Sequence, residues 1–255
     1  MSCIDCLRPN ELPKNREEAI DKCLLANRIL AYEGIIDAFG HVSVRNPENS
    51  NTFFQSCAKA PEVVERDDII EIDLDGNVIT QTDKRPYGER VIHAYIYKAR
   101  PDVNAISHSH PHALIPFAST NVPVRTMAHF SSMFFEGVPV YDDYDVSTGM
   151  LIATKPEGER LARVLGDKRG CLMRNHGCVV VGETTEIMVM SSVYLRDNAI
   201  IQFQAMQMGE YKSLTWEEGR EAAIKQLGSG PVARGWGYWV HRVKKAMSDL
   251  ANINA

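Results

Sequence analysis

Apolar side chains recur at helical spacing in several separate stretches of this chain. Residues 17–31 place their apolar positions near one helical face, and Gly34 follows as a stop signal. Further helices are predicted over residues 89–100, 156–165 and about 186–208. Pro101 ends the helix predicted over residues 89–100, and Pro111 suits the first turn of another helix.

Shorter runs of alternating or wholly apolar residues lie between these helices and predict strands. They cover residues 41–45, 52–56, 69–73, 105–109, 138–141, 171–174 and 178–182. The sequence Asp75-Gly76-Asn77 is a turn signal that predicts a hairpin into residues 78–82. Helices mixed with strands, without strict alternation of the two, predict one layered α/β or α+β domain.

Composition and charge exclude several classes of protein. The chain has 255 residues, of which 44% are hydrophobic, so one domain can bury an adequate core. A formal charge of -5 gives no electrostatic reason to expect nucleic acid or an anionic membrane as a partner. No apolar run approaches the ~20 residues that span a bilayer, and residues 1–18 are too polar for a signal peptide. We therefore expect a cytoplasmic protein.

The six cysteines are expected to be reduced thiols in such a compartment. Cys3 and Cys6 form a C-x-x-C pair, which could indicate zinc or redox chemistry. The pair lies in a terminal tail, without a second ligand pair or a preceding strand. We interpret it as incidental.

Three histidines form the main candidate for chemistry. His108 and His110 are two residues apart on a predicted strand, so both imidazoles point to the same face. His176 lies where another strand ends in a turn that contains Gly177. Three imidazoles with an open position are what a catalytic cation needs. The alternative to a metal site is that His108 and His110 are ordinary polar residues on a half-exposed strand. His112 is out of phase with this pair, and we interpret it as a residue at the start of a helix.

Glu89 is the candidate carboxylate for the same site. It lies at the front of the helix that leads into the histidine strand. Such a carboxylate could be a fourth ligand, a general acid/base, or both in turn. It could also be an ordinary first-turn glutamate that interacts with the helix dipole. Spacing alone leaves these alternatives open.

The order of these segments resembles the class II aldolase/adducin family over about residues 15–210. The matching segments are Gly40-His41-Val42-Ser43-Val44-Arg45, Glu89, His108-Ser109-His110 and Asn175-His176-Gly177. The resemblance implies a three-layer α/β/α fold with a mostly antiparallel central sheet. It implies an N-terminal tail over residues 1–14 and a helical extension over 211–255 that packs on the same domain or on a neighbouring subunit.

The resemblance also implies a metal site. His108, His110, His176 and Glu89 would bind one divalent cation per subunit, and Glu89 would also be the catalytic acid/base. Zn²⁺ or Mn²⁺ is the expected ion, with Fe²⁺ or Co²⁺ as alternatives that the same ligands suit. The family further implies a homotetramer with active sites at the subunit interfaces.

Departures from the sugar-phosphate aldolases of this family are informative. Those enzymes hold phosphate with small residues and hydroxyls, which let backbone N–H groups close around it. The corresponding positions here are Gly40-His41, Ala58-Lys59 and Tyr87-Gly88. The aldolases also carry a His-Tyr pair that assists proton transfer, where this chain has His129-Phe130. Both differences argue against cleavage of a sugar phosphate.

A branch of decarboxylases from aromatic catabolism shares these departures. The similar segments include Ala60-Pro61-Glu62, Asp73-Leu74-Asp75-Gly76-Asn77, Leu172-Met173-Arg174 and Tyr238-Trp239. The branch acts on hydroxy-carboxymuconic semialdehyde, dihydroxyphthalate or 3-hydroxy-2-methylpyridine-4,5-dicarboxylate, and the sequence does not separate these three. It implies a metal-dependent, non-oxidative decarboxylase of a small carboxylate. The alternatives are a sugar-phosphate aldolase or epimerase, and a non-catalytic adducin-like module that would have lost its histidines.

Several further residues are candidates for handling that substrate. The substrate-binding candidates are His41, Ser43, Lys59 and Tyr87. Arg174 is a candidate for binding a second carboxylate, because its planar fork suits that group. His129 is a candidate for orienting substrate or relaying a proton, with a structural role as the alternative.

Overall fold

The computed structural model describes residues 12–251 and residue 253. The Cys3 and Cys6 pair and most of the tail expected at residues 1–14 lie outside the described residues. The strands are β1 (His41–Arg45), β2 (Thr52–Ser56), β3 (Ile69–Asp73), β4 (Ala105–Ser109), β5 (Val140–Tyr141), β6 (Gly170–Met173) and β7 (Gly177–Gly182). The helices are α1 (Arg16–Tyr32), α2 (Arg90–Ala99), α3 (Ile115–Ala118), α4 (Lys155–Leu165), α5 (Thr185–Met208), α6 (Trp216–Gln226) and α7 (Ser229–Ala246).

The strands form one sheet in the order β3-β2-β1-β4-β7-β6-β5. All neighbours in it are antiparallel except β5 and β6, which are parallel. Strand β4 is at the centre, where His108 lies opposite His41 of β1 and Ser109 lies opposite Cys178 of β7. The histidine pair therefore sits at the end of the central strand.

Helices cover both faces of this sheet. Helices α1, α5 and α7 share one hydrophobic core with side chains such as Val180, whereas α2 and α4 share the other with Val179 and Val181. Successive residues of β7 alternate between the two cores because side chains along a strand point to opposite faces. The structure confirms the expected three-layer α/β/α fold with a mostly antiparallel sheet.

Local signals in the sequence fix the ends of several helices. The Asn15 side chain accepts the backbone N–H of Glu18 at 3.0 Å and caps α1. Thr154 and Glu157 form a capping box at the start of α4. The chain after α1 turns at Gly34, whose φ of 68° is left-handed and favours glycine.

Two expected elements were wrong. Residues 78–82 do not form a strand, and only Val78 makes a bridge, to Ile72. The Thr80 hydroxyl accepts a hydrogen bond from the backbone N–H of Glu71 at 2.8 Å. In a regular strand pair, a backbone carbonyl would accept this hydrogen bond. The helix expected from Pro111 begins only at Ile115 and is four residues long.

The C-terminal helix α7 packs on α1 and α5 of the same chain. Trp236 and Trp239 are buried in this contact, and the Trp239 ring lies 5.9 Å from that of Tyr194, measured between centroids. Tyr238, between them, is exposed. Two of the three C-terminal aromatic residues therefore belong to the core.

Asp68 joins three separate segments at the edge of the sheet. Its carboxylate accepts the Lys59 ammonium at 2.6 Å, the Lys84 ammonium at 2.8 Å and the backbone N–H of Glu65 at 2.9 Å. Burial alone would raise the pKa of Asp68, but these hydrogen bonds outweigh it and hold the pKa well below its usual range. The carboxylate is buried and its partners compensate its charge.

We predict that Asp68→Asn lowers the free energy of unfolding at pH 7 by about 1–3 kcal/mol, because an amide cannot pair two ammonium groups. Because the folded-state pKa lies below the ordinary value of 3.8, the stabilisation is fully present above 3.8 and is lost as the pH falls from that value through the folded-state pKa. Urea unfolding at pH 7 and at lower pH measures this loss. Asp67→Asn, at an exposed neighbour, is the control. Equal unfolding of the two variants would contradict the prediction.

Candidate metal centre

Three imidazoles meet at the end of strand β4. The Nε2 atoms of His108 and His110 are 3.1 Å apart. His176 lies in the turn between β6 and β7, with its ring stacked on that of His110 at 5.1 Å between centroids. Ligand atoms of all three lie within 4.8 Å of one another. The structure thus brings together the three histidines singled out in the sequence.

Two glycines allow neighbouring segments to lie directly against the strand that carries His108. A Cβ on Gly177 would lie 2.3 Å from the Ser109 carbonyl oxygen and 2.8 Å from Cδ2 of His110. Gly40 has a φ of 95°, and a Cβ there would lie 2.7 Å from the His108 carbonyl oxygen. Any side chain at either position would displace the histidine strand.

Glu89 directs its carboxylate at these imidazoles. It precedes α2 and makes no side-chain capping hydrogen bond to that helix. Its Oε2 lies 3.5 Å from Nε2 of His108, and its Oε1 lies 3.6 Å from Nε2 of His176. Oε1 also accepts the backbone N–H of Ile152 at 3.0 Å, which fixes the rotamer. The contacts of Glu89 are those of a site residue rather than of a helix cap.

The electrostatics give this cluster the donors that a divalent cation prefers. Burial alone would raise the pKa of Glu89, but His108 and His176 outweigh it and lower the pKa to about 2. Burial, followed by His108 and His176, lowers the pKa of His110 to about 4. His108 donates from Nδ1 to the Cys178 carbonyl oxygen at 3.1 Å, which leaves its Nε2 lone pair facing His110. A carboxylate and three imidazoles are donors that fit Zn²⁺, Mn²⁺, Fe²⁺ or Co²⁺.

A second set of groups borders the same space. His41, Glu89 and His108 also offer ligand atoms within 4.8 Å of one another. The His41 ring lies 5.2 Å from that of His108 and 4.4 Å from that of Tyr87, measured between centroids. The candidate substrate residues His41 and Tyr87 therefore lie beside the imidazole cluster.

Two other candidate substrate residues already have partners. The Lys59 ammonium pairs with Asp68, although its backbone carbonyl accepts the Tyr87 hydroxyl. The Ser43 hydroxyl is buried and hydrogen-bonded to His93 at 2.6 Å. Direct binding of substrate by either side chain would require these contacts to be exchanged.

Arg174 lies two residues before His176. Its guanidinium pairs with Asp142 and lies over the Tyr144 ring, 5.9 Å from the centroid. The Tyr144 ring is in turn 6.3 Å from that of His176. Arg174 therefore reaches the cluster through an aromatic neighbour.

His129 has different surroundings. It lies on a short 3-10 turn, is exposed, and has its ring 6.0 Å from that of Phe130. The structure does not bring His129 into contact with the imidazole cluster. Its assigned role in orienting substrate or relaying a proton stays a prediction.

Sequence reasoning missed His93 and Tyr97, which lie behind His41. Their signal was present in the spacing, because Glu89, His93 and Tyr97 follow one another at intervals of four and share one helical face. A histidine inside an apolar helix resembles an ordinary core residue, so the sequence alone gave it no role.

Comparison with known proteins identifies the family. A family model described as the class II aldolase and adducin N-terminal domain matches residues 21–203. The chain belongs to the class II aldolase/adducin family. Among the residues that the structure describes, no helix is both long and apolar enough to cross a membrane.

Relatives of this class II aldolase-family enzyme include decarboxylases. Decarboxylase tropJ of Talaromyces stipitatus is 31% identical over 240 residues, which cover 85% of this chain and 90% of that protein. The 3,4-dihydroxyphthalate decarboxylase of Arthrobacter keyseri is 26% identical over 77% of this chain and 82% of its own. The L-fuculose 1-phosphate aldolase structure from Glaciozyma antarctica has a TM-score of 0.81, 22% identity and 98% coverage of each chain, a likeness of fold.

We predict that the purified enzyme binds one divalent ion per subunit and that His110→Ala loses it. Removing a ligand should weaken metal affinity by more than the ~10–100-fold that loss of a supporting residue costs. Competition with a chromogenic chelator measures this change. His112→Ala, which removes an exposed imidazole two residues away, is the matched control and should bind metal normally. Unchanged affinity in His110→Ala would disprove this ligand assignment.

Proposed function

We propose that this protein is a divalent-metal-dependent, non-oxidative decarboxylase of a hydroxylated aromatic or ring-cleaved dicarboxylate. The observation that carries the proposal is the packing of His41 against Tyr87, with 4.4 Å between ring centroids. In the resemblance to the sugar-phosphate aldolases, the positions of these two rings correspond to the phosphate cradle. Rings there remove the small residues that allow backbone N–H groups to surround a phosphate.

The relatives support the same reaction. One is named a decarboxylase and matches 90% of its length to this chain, and another is named for 3,4-dihydroxyphthalate, a hydroxylated aromatic dicarboxylate. Phe130 also favours decarboxylation, because it places a ring without a hydroxyl where the aldolases have their tyrosine. A sugar-phosphate aldolase of the same fold is the second candidate, because a relative named L-fuculose phosphate aldolase is 28% identical over 58% of this chain.

In this proposal His108, His110, His176 and Glu89 hold the metal ion. The bound ion supplies Lewis-acid stabilisation of the negative charge that develops on a substrate oxygen when carbon dioxide leaves. Glu89 is ionised, because its pKa is lowered to about 2, so it first takes up the proton of the substrate hydroxyl, directly or through a water molecule. It then delivers this proton to the carbon that carries the departing carboxylate. The C–H bond forms with an electron pair drawn from the deprotonated oxygen, and the pair of the broken C–C bond returns to that oxygen as carbon dioxide leaves.

Arg174 is the proposed partner of the second substrate carboxylate. Its guanidinium is paired with an exposed carboxylate, Asp142, so a substrate carboxylate could replace that partner at low cost. The planar guanidinium then binds the substrate at a fixed angle. The second substrate carboxylate would then lie on the His176 side of the cluster, next to the guanidinium of Arg174.

We also propose a homotetramer with active sites at the subunit interfaces. Phe39, Val146 and Leu151 are exposed apolar residues close in sequence to His41 and to the Glu89-bound Ile152. Exposed apolar groups around a site favour cover by another chain. Sedimentation should give the mass of four chains. A monomer at micromolar concentration would exclude the interface.

We predict release of carbon dioxide from hydroxylated aromatic dicarboxylates, with 3,4-dihydroxyphthalate as the first member of the panel. A chelator should abolish the release, and Zn²⁺ or Mn²⁺ should restore it, because metal removal takes away the charge stabilisation. His110→Ala should be at least ~100-fold slower and His112→Ala unchanged. No carbon dioxide from any member, together with cleavage of fuculose 1-phosphate, would establish the aldolase instead.

A further inference from the structure

A chain of buried hydrogen bonds leads from the core to the edge of the candidate metal centre. The Tyr97 hydroxyl is 2.9 Å from Oγ of Ser43, and this Oγ is 2.6 Å from Nδ1 of His93. Nε2 of His93 is 2.7 Å from Nδ1 of His41. All four side chains are buried, with exposed fractions of at most 1%. None of them belongs to the proposed set of ligands.

The Tyr97 hydroxyl, at the buried end of the chain, determines which group donates in the first two hydrogen bonds. Within the described residues, Ser43 Oγ is the one hydrogen-bond partner of the Tyr97 hydroxyl. A buried O–H group without an acceptor costs ~1–3 kcal/mol, so Tyr97 donates to Ser43. Ser43 then donates its own proton to its other partner, Nδ1 of His93.

The remaining bond follows from the proton count of a neutral imidazole. His93 accepts at Nδ1, so its proton is on Nε2, from which it donates to Nδ1 of His41. The side-chain amide of Gln55 donates to the same Nδ1 at 3.1 Å. Two donors on one nitrogen leave the proton of His41 on Nε2.

That Nε2 is the nitrogen of His41 that remains available to the site. A ring nitrogen of His41 lies within 4.8 Å of a carboxylate oxygen of Glu89 and of a ring nitrogen of His108. With a proton on Nε2 and Nδ1 occupied by two donors, His41 has no lone pair to offer a cation. It has a hydrogen bond to donate.

We propose that His93 is a positioning residue that holds His41 in the Nε2–H tautomer, and that His41 donates a hydrogen bond to an anionic substrate oxygen. The metal ion is then held by His108, His110 and His176 together with Glu89, and His41 is not one of its ligands. This inference rests on the proposed decarboxylase for the identity of the oxygen, a carboxylate or phenolate. A fixed donor aimed at such an oxygen stabilises charge that grows during the reaction.

The tautomer can be measured without activity. Nitrogen NMR of the metal-free protein, with histidine rings labelled with ¹⁵N, distinguishes protonated from unprotonated ring nitrogens. The His41 signals are assigned by their loss in His41→Gln. We expect a protonated Nε2 and an unprotonated Nδ1. An unprotonated Nε2 in the native protein would overturn the proposal, whatever reaction the enzyme catalyses.

Two substitutions of His93 test its positioning role. His93→Phe removes both hydrogen bonds and should release His41 from its single tautomer. His93→Gln can accept from Ser43 with its amide oxygen and donate to His41 with its amide nitrogen, so it should preserve the tautomer. A His41 spectrum that is the same in His93→Phe as in the native protein would disprove the role.

Activity provides a second and separate readout. With metal content unchanged, His93→Phe should lower kcat for carbon dioxide release by ~10–100-fold, and His93→Gln should restore most of it. Ser43→Ala should lower kcat similarly, whereas Ser192→Ala, which removes another buried hydroxyl, should not. Loss of metal together with kcat would show that the chain supports the ligands instead. If no variant releases carbon dioxide, the decarboxylase fails, and the NMR result still decides the tautomer.

Discussion

The pairing of strand β4 with a neighbour on each side decides where the groups of the candidate metal centre lie. Strand β1 places His41 opposite His108, and β7 places Cys178 opposite Ser109. Side chains alternate along a strand, so a shift of either register by one residue would turn those side chains to the other face. The hydrophobic cores on both faces prevent such a shift, because in β1 it would take Val42 and Val44 out of their apolar core and bring His41 and Ser43 into it. Packing far from the cluster thus protects its geometry.

Burial makes the same cluster costly to the fold. Glu89 is an ionised carboxylate in a largely buried position, and apart from the backbone N–H of Ile152 its polar contacts are imidazoles rather than lysine or arginine side chains. Buried charges without compensation destabilise a protein by several kcal/mol. Any cation that binds only the folded chain recovers part of that cost in proportion to its affinity. In this site, stability and chemistry therefore depend on the same donor atoms.

Local patterns predicted most of the strands and helices and singled out the three imidazoles, whereas the three-layer fold was predicted from the resemblance to the family. Strands β1 to β4 have the predicted bounds, since alternation and turn residues specify them within a few positions. Contacts between distant residues were not predictable in this way. The ammonium of Lys59 pairs with Asp68, which also binds Lys84. No local sequence pattern predicts these ion pairs.

The same limit explains the residues behind His41. His93 has a role only because α2 packs its face against β1, which is a property of the tertiary structure. Its interval of four from Glu89 was visible, but a buried histidine in an apolar helix matches a core position equally well. The strand predicted over residues 78–82 was wrong for a related reason. The Thr80 hydroxyl, rather than a backbone carbonyl, accepts the backbone N–H of Glu71.

Gly177 has a consequence for the interpretation of genetic data. It offers no functional group, yet the space beside its Cα is filled by the Ser109 carbonyl and the His110 ring. Every replacement introduces a Cβ, so a saturation screen for activity would find this position intolerant to all nineteen alternatives. Such a profile is usually attributed to a residue that takes part in the reaction. Here it would record only the distance between two neighbouring strands.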